Sequence, residues 1–407
     1  METITLHNNW YIKALELPHA EEYISDINNI SFATTGFIHA WESNLFFEEA
    51  CQLVVNAIRL FQHGYFDCAF YSLRQSIETS VGIIYLTANP DKNDKWNALF
   101  SGFESGTMFK WLKDHEPTFK DIREKMPKFF NTAWDIRQKM NKYIHKQGNA
   151  SFYQVRRNPF LLKQKDIRKE DLLEDFESYL KVCIGAVAVY RLSIDALPVV
   201  LMDENMLLRS GDFITEPYSQ EFVDKYIGQD NIEAFKTTQI YKDFCASLSL
   251  NEKQNEAVFN LIHWQYYDRE KMDDYNAQLH LCTFTDRIAI CLFTISEKIS
   301  QVFVDGIHWY TSDVKSDKQK RGITIGSSYY EEQFLTSTNN YNHPYNNVYL
   351  SRCQINNDYT YFEHNEKLTE NEIECVKIVA TKLSDLVNQI ENELSSFVNG
   401  LKEDGPI

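Results

Sequence analysis

Apolar residues recur at helical spacing through most of this chain. The run LFFEEACQLVVNAIRLFQ, from Leu45 to Gln62, keeps one face apolar and stops at His63–Gly64, where glycine can take the left-handed conformation that ends a helix. The next run, YFDCAFYSLRQSIETSVGIIYL, places Phe70, Leu73, Ile77, Val81 and Ile84 at steps of three and four, so one face is core. Residues 87–106 are crowded with Pro, Gly, Asn and Asp and read as a loop. Two shorter helices fit 107–115 and 118–126. Pro127 suits the first turn of another, with Phe130, Ala133, Ile136, Met140 and Ile144 as its apolar stripe and an end at Gly148. A long apolar helix follows over 168–197.

Ser249 with Glu252 has the spacing of a capped helix start. Phe284, Ile288, Cys291, Ile295, Ile299 and Val302 continue as one helical seam that closes at Asp305–Gly306. Helical period is then lost, and NVYLSRCQINNDYTYFEH alternates around Asn356–Asn357, as a β-hairpin does. A capping box at Thr369 and Glu372 opens the last helix. Its stripe from Ile373 to Phe397 alternates steps of three and four in the manner of a coiled coil, which serves either packing on the same chain or a homodimer. The predicted fold class is mainly α. It comprises an extension (1–40), a helical bundle (41–210), a connector (211–250) and a carboxy-terminal helical domain (251–407) with a Tyr- and Asn-rich insertion at 307–366.

Composition narrows the function classes. Hydrophobic residues make up 43% of the 407, which supplies real cores and excludes a largely disordered chain. None of the eight cysteines is spaced C-x-x-C, so they read as free thiols of a reducing, cytoplasmic setting and not as a disulfide or zinc framework. The most membrane-like run, VCIGAVAVYRLSIDALPVVLM, is broken by Arg191, Asp195 and Pro198 and reads as a core helix, so no membrane partner is expected. The net charge is −17, but it is unevenly spread. Sixteen Lys or Arg face seven Asp or Glu between Lys110 and Glu170, and the rest of the chain is strongly acidic. A basic island points to a phosphate-bearing partner; the acidic carboxy-terminal half suits a protein partner.

Two polar stripes carry the candidate chemistry. Trp134, Arg137, Asn141 and His145 run one residue beside an apolar stripe, at the edge of the buried face. On the earlier helix Tyr71, Arg74, Glu78 and Tyr85 do the same. If these helices are neighbours, Arg74, Glu78, Arg137, Asn141 and His145 share one polar groove. Lys139, Lys142 and Lys146 surround His145, and Arg156 and Arg157 follow as further candidate phosphate contacts. The same residues equally suit a structural hydrogen-bonded network. No H-E-x-x-H, G-x-x-x-x-G-K-[ST] or G-x-G-x-x-G occurs, so neither a metal nor a cofactor is called for.

The order FQHGYFDCAFYSLRQSIETSVGIIYL, followed some fifty residues later by NKYIHK, resembles the HEPN superfamily over residues 45–195. That resemblance implies a HEPN-like helical bundle, a metal-independent endoribonuclease of antiphage defence or toxin–antitoxin systems, and a homodimer. It implies that His145 moves the proton of a 2′-hydroxyl or of the leaving oxygen, that Arg137 or Arg74 steadies the phosphate, and that Asn141 orients one of them. The chain departs from the family signature, in which four to six residues separate Arg from His: seven lie between Arg137 and His145. The alternative is a non-catalytic helical scaffold with a degenerate bundle.

Overall fold

The computed structural model describes residues 15–33, 41–98, 104–148, 169–211, 215–305, 308–312, 349–356 and 358–403. The chain forms two units, Met1–Asn251 and Glu252–Ile407. It is mainly helical, with a small antiparallel sheet in the second unit.

The first unit is built around α3 (Phe66–Ala88), whose every third or fourth residue is buried. Helix α2 (Trp41–Gln62) leads into it through Gly64, at φ 85°, with the Tyr65 N–H donating to the Leu60 carbonyl at 2.9 Å. This is the expected left-handed stop. Against α3 pack α5 (Ser105–His115), α7 (Pro127–Ile144) and α8 (Lys169–Arg191), while α4 (Asn93–Asn97) and α6 (Pro117–Lys125) fill the connections. Aromatic rings lock the centre: Phe61 stacks on Phe176 at 3.9 Å, and Phe130 tilts against Tyr190 at 5.6 Å.

Two stretches that the sequence sets apart belong to this unit. Helix α1 (Ala20–Phe32) buries Tyr23, Ile27 and Ile30, so an extension at 1–40 is corrected for its described part. The expected connector 211–250 buries Phe222, Tyr226, Ile232 and Phe235 in the same core and ends in α9 (Gln239–Leu248). At Gly185 a side chain would collide with the Tyr226 carbonyl, so glycine is what lets this segment lie against α8. The loop expected at 87–106 contains α4 and the start of α5. Arg191 ends α8 buried, its guanidinium 3.2 Å from Asn44 Oδ1. No helix among the described residues is long and apolar enough to cross a membrane.

The second unit holds α10 (Glu256–Trp264), α11 (Phe284–Ile295), four strands and α12 (Glu370–Glu403). Asn255 caps α10, so the helix start expected at Ser249–Glu252 moves; Ser249 instead closes α9. The seam drawn as one helix through Val302 breaks after Ile295. Ile299–Val304 is strand β1, buried on both faces, and a fully buried β-branched run satisfies a helical and an alternating pattern alike. Strands β2 (His308–Thr311), β3 (Tyr349–Ile355) and β4 (Asp358–His364) complete a sheet in the order β2-β1-β4-β3, all antiparallel. The expected hairpin is β3–β4, turning at Asn356 with φ 56°. One sheet face, with Val302, Tyr310 and Phe362, packs on α11 and the first turns of α12 through Val376 and Ala380. Thr369 and Glu372 form the expected capping box.

Candidate functional site

Helices α3 and α7 run antiparallel and meet along one edge. Lys146 meets Asp67 at one end, Tyr143 stacks on Phe70 at 4.8 Å in the middle, and Arg137 meets Glu78 at the other end. Glu78 is the hub. Its Oε1 accepts from Arg74 Nε at 2.8 Å, Arg137 Nη2 at 2.7 Å and Ser105 Oγ at 2.8 Å. Arg137 Nη2 also donates to Ser105 Oγ at 2.6 Å. Arg137 is 8% exposed, and its guanidinium lies 5.1 Å over the Trp134 ring, which stacks on Phe109. Two guanidiniums around one carboxylate leave a local excess of positive charge in a half-dry setting, where each hydrogen bond to a charged group contributes about 1.5–3 kcal/mol.

The structure thus brings together Arg74, Glu78 and Arg137, and adds Ser105. Reading 87–106 as a loop hid that serine; the signal available was its position just ahead of the apolar Met108 and Leu112, at the opening turn of α5. It does not bring in His145. His145 lies eight positions further along than Arg137, roughly 12 Å of rise and about 80° of rotation. That rotation carries the stripe out of the groove, and His145 stands exposed at the end of α7. Its N–H donates to the Asn141 carbonyl at 2.9 Å. The next residue, Lys146, takes φ 53° and ends the helix.

Asn141 lies between the two ends. Its Nδ2 is 3.4 Å from Gln138 Oε1, and its Oδ1 is buried without a donor. Lys139 and Lys142 are exposed and have no ion-pair partner among the described residues, as does Lys128 near the start of α7. Arg156 and Arg157 lie outside the described residues. Among the described residues no three His, Cys, Asp or Glu side chains cluster as metal ligands.

No family model, curated protein or solved structure matches this chain. By its own architecture it is a two-unit, mainly helical protein with a half-buried Arg–Glu–Arg knot and a basic exposed face on α7.

Proposed function

We propose that the first unit binds RNA through the solvent face of α7. The observation that carries this is angular. Lys128, Lys139 and Lys142 fall within an arc of about 60° along roughly 21 Å of helix. Asp135 is the acidic residue within that arc; Lys146, past the end of the helix, is held by the carboxylate of Asp67. A row of free ammonium groups at this spacing suits a polyanionic backbone, whose counterions it would displace. The likeness of this region to HEPN bundles agrees with an RNA partner, and a defence or toxin setting follows from that likeness alone.

Binding is favoured over cleavage. Arg137 points to the side of α7 opposite the lysine row, about 180° away, and is tied up by Glu78 and Ser105. A phosphate lying on the lysines is out of its reach. The saturated knot instead favours the scaffold reading as the competitor.

The test is retention of single-stranded RNA by the full chain at increasing salt, beside Lys139→Glu/Lys142→Glu. We expect binding that weakens with salt, an affinity loss of about tenfold or more in the variant, and a salt slope lower by about 1.4 for two lost phosphate contacts. Equal retention of heparin and duplex DNA would reduce the surface to a general polyanion binder. No retention even at low salt hands the case to the scaffold.

A further inference from the structure

We propose that a cavity between α2, α3, α4 and α5 is a binding site for a small aromatic amine, an organic cation bearing a planar ring. The space amounts to about 900 Å³, well above what a core tolerates as a packing defect and within the range of ligand pockets.

Its floor is Gly82. This residue is buried in mid-α3, yet a Cβ built on it meets no heavy atom within 4 Å. Glycine inside a helix costs about 0.5–1 kcal/mol relative to alanine. No crowding neighbour demands it here. What it leaves is open floor, and α3 forgoes stability to keep it.

One wall is aromatic. Phe46 and Trp96 lie 5.1 Å apart at 45°, and both line the space. Such a pair offers a wall against which a ring, or a cation, can pack. The charges on the rest of the lining decide the sign. Glu49 and Glu104 are exposed at the mouth, and neither carboxylate has a hydrogen bond or ion pair among the described residues. At the inner end Arg74 is already joined to Glu78, which also holds Arg137 and Ser105. With that knot counted in full, three carboxylates face two guanidiniums, and the two free groups are both acidic. Asn93, also on the wall, buries Oδ1 without a donor. A ligand that brings N–H donors and positive charge, with a flat apolar body, matches each of these features. A carboxylate or phosphate ligand matches none at the mouth.

The geometry gives the ligand one orientation: ring against the Phe46–Trp96 wall over Gly82, ammonium outward at Glu49 and Glu104. This site is separate from the lysine face of α7 and does not depend on RNA binding.

The experiment titrates the full-length chain with tryptamine and 2-phenylethylamine, and with the anionic isostere indole-3-propionate, by calorimetry and saturation-transfer NMR. Saturable binding of the amines, with the propionate at least about tenfold weaker, is expected. Gly82→Leu fills the floor and should abolish amine binding while the helical circular dichroism and melting temperature hold or rise. Glu49→Gln with Glu104→Gln leaves the cavity open and should weaken the amines about tenfold without strengthening stacking. Three results overturn the proposal: no amine binding at millimolar concentration, the propionate binding as well as the amines, or amine binding undiminished in both variants.

Discussion

At one end of the α3–α7 pair, Glu78 gathers two guanidiniums and a serine in a knot whose side chains are 10–17% exposed for the ion pairs. At the other end, Asp67 and Lys146 meet with 30% and 40% of their side chains in solvent, beside an exposed His145. The residue types are alike: a carboxylate on α3 facing a cation. Their depth differs because Arg137 lies on the buried side of mid-α7, whereas Lys146 lies beyond the last turn of that helix, in the left-handed residue that ends it. Depth decides what such a pair is worth. The inner pair is screened little and leaves costly orphans when broken, whereas the outer one competes with water at every moment.

Breaking the inner hub should therefore have the largest effect. Glu78→Ala strands Arg74, Arg137 and Ser105 and is expected to destabilise the first unit by about 2–4 kcal/mol. Lys146→Ala at the outer end should cost less than about 1 kcal/mol. Urea midpoints of the two variants check this directly. Equal losses would mean that depth along the helix pair is not what separates the two ends.

A second carboxylate hub sharpens the point with pH. Glu372 accepts from Lys298 Nζ at 2.8 Å, the Thr369 N–H at 2.6 Å and Ser296 Oγ at 2.7 Å. The Lys298 hydrogen bond first, then the Thr369 N–H, hold its carboxyl down at about 2, against an ordinary 4.5. Being lower in the folded than in the unfolded chain, it contributes stability that is complete above about pH 5 and fades as pH falls from there towards 2. Glu372→Gln should cost about 1–2 kcal/mol at pH 7 and about a quarter of that at pH 2.5, read as a flattening of the acid limb of the stability curve. An undiminished difference at pH 2.5 would show that the glutamine disturbs packing and that charge is not the cause.

How much of this was legible depends on whether the signal is local. Gly64 ends α2, and Phe70, Leu73, Ile77 and Val81 form the buried stripe of α3, because helix period and a left-handed stop are written in adjacent residues. The Asn356 turn was legible for the same reason. Ile299–Val304 was not: six residues buried on both faces give no alternation, so a neighbouring helical pattern extends over them. The burial of 215–248 against α8 depends on a distant glycine, Gly185, and no local pattern points to it. At the site, the pairing of Arg74, Glu78 and Arg137 followed from two stripes on neighbouring helices. Ser105 has no local signal because its role is set by α5 docking on α3, and His145 leaves the groove because steps of three and four drift around a helix and do not run straight along it.

The smallest expected effect is at His145, and for that reason it separates the readings most sharply. The side chain is exposed, and its backbone N–H, which closes the last turn of α7, survives any substitution but proline. His145→Ala should shift stability by less than about 0.5 kcal/mol, as surface changes away from special features do. It removes no lysine from the basic row, so RNA retention should fall by less than about twofold, while Lys139→Glu/Lys142→Glu lowers it about tenfold. Incubation with total RNA in EDTA supplies the other arm. RNA that stays intact with the wild-type chain and with His145→Ala agrees with a surface that holds RNA without cutting it. Cleavage by the wild type that disappears in His145→Ala would return the histidine to a catalytic role. Since Arg137 of the same chain lies about 12 Å along the helix and faces away, the phosphate-steadying cation would then have to come from another part of the assembly, which a mixed-variant complementation of His145→Ala with Arg137→Ala would reveal.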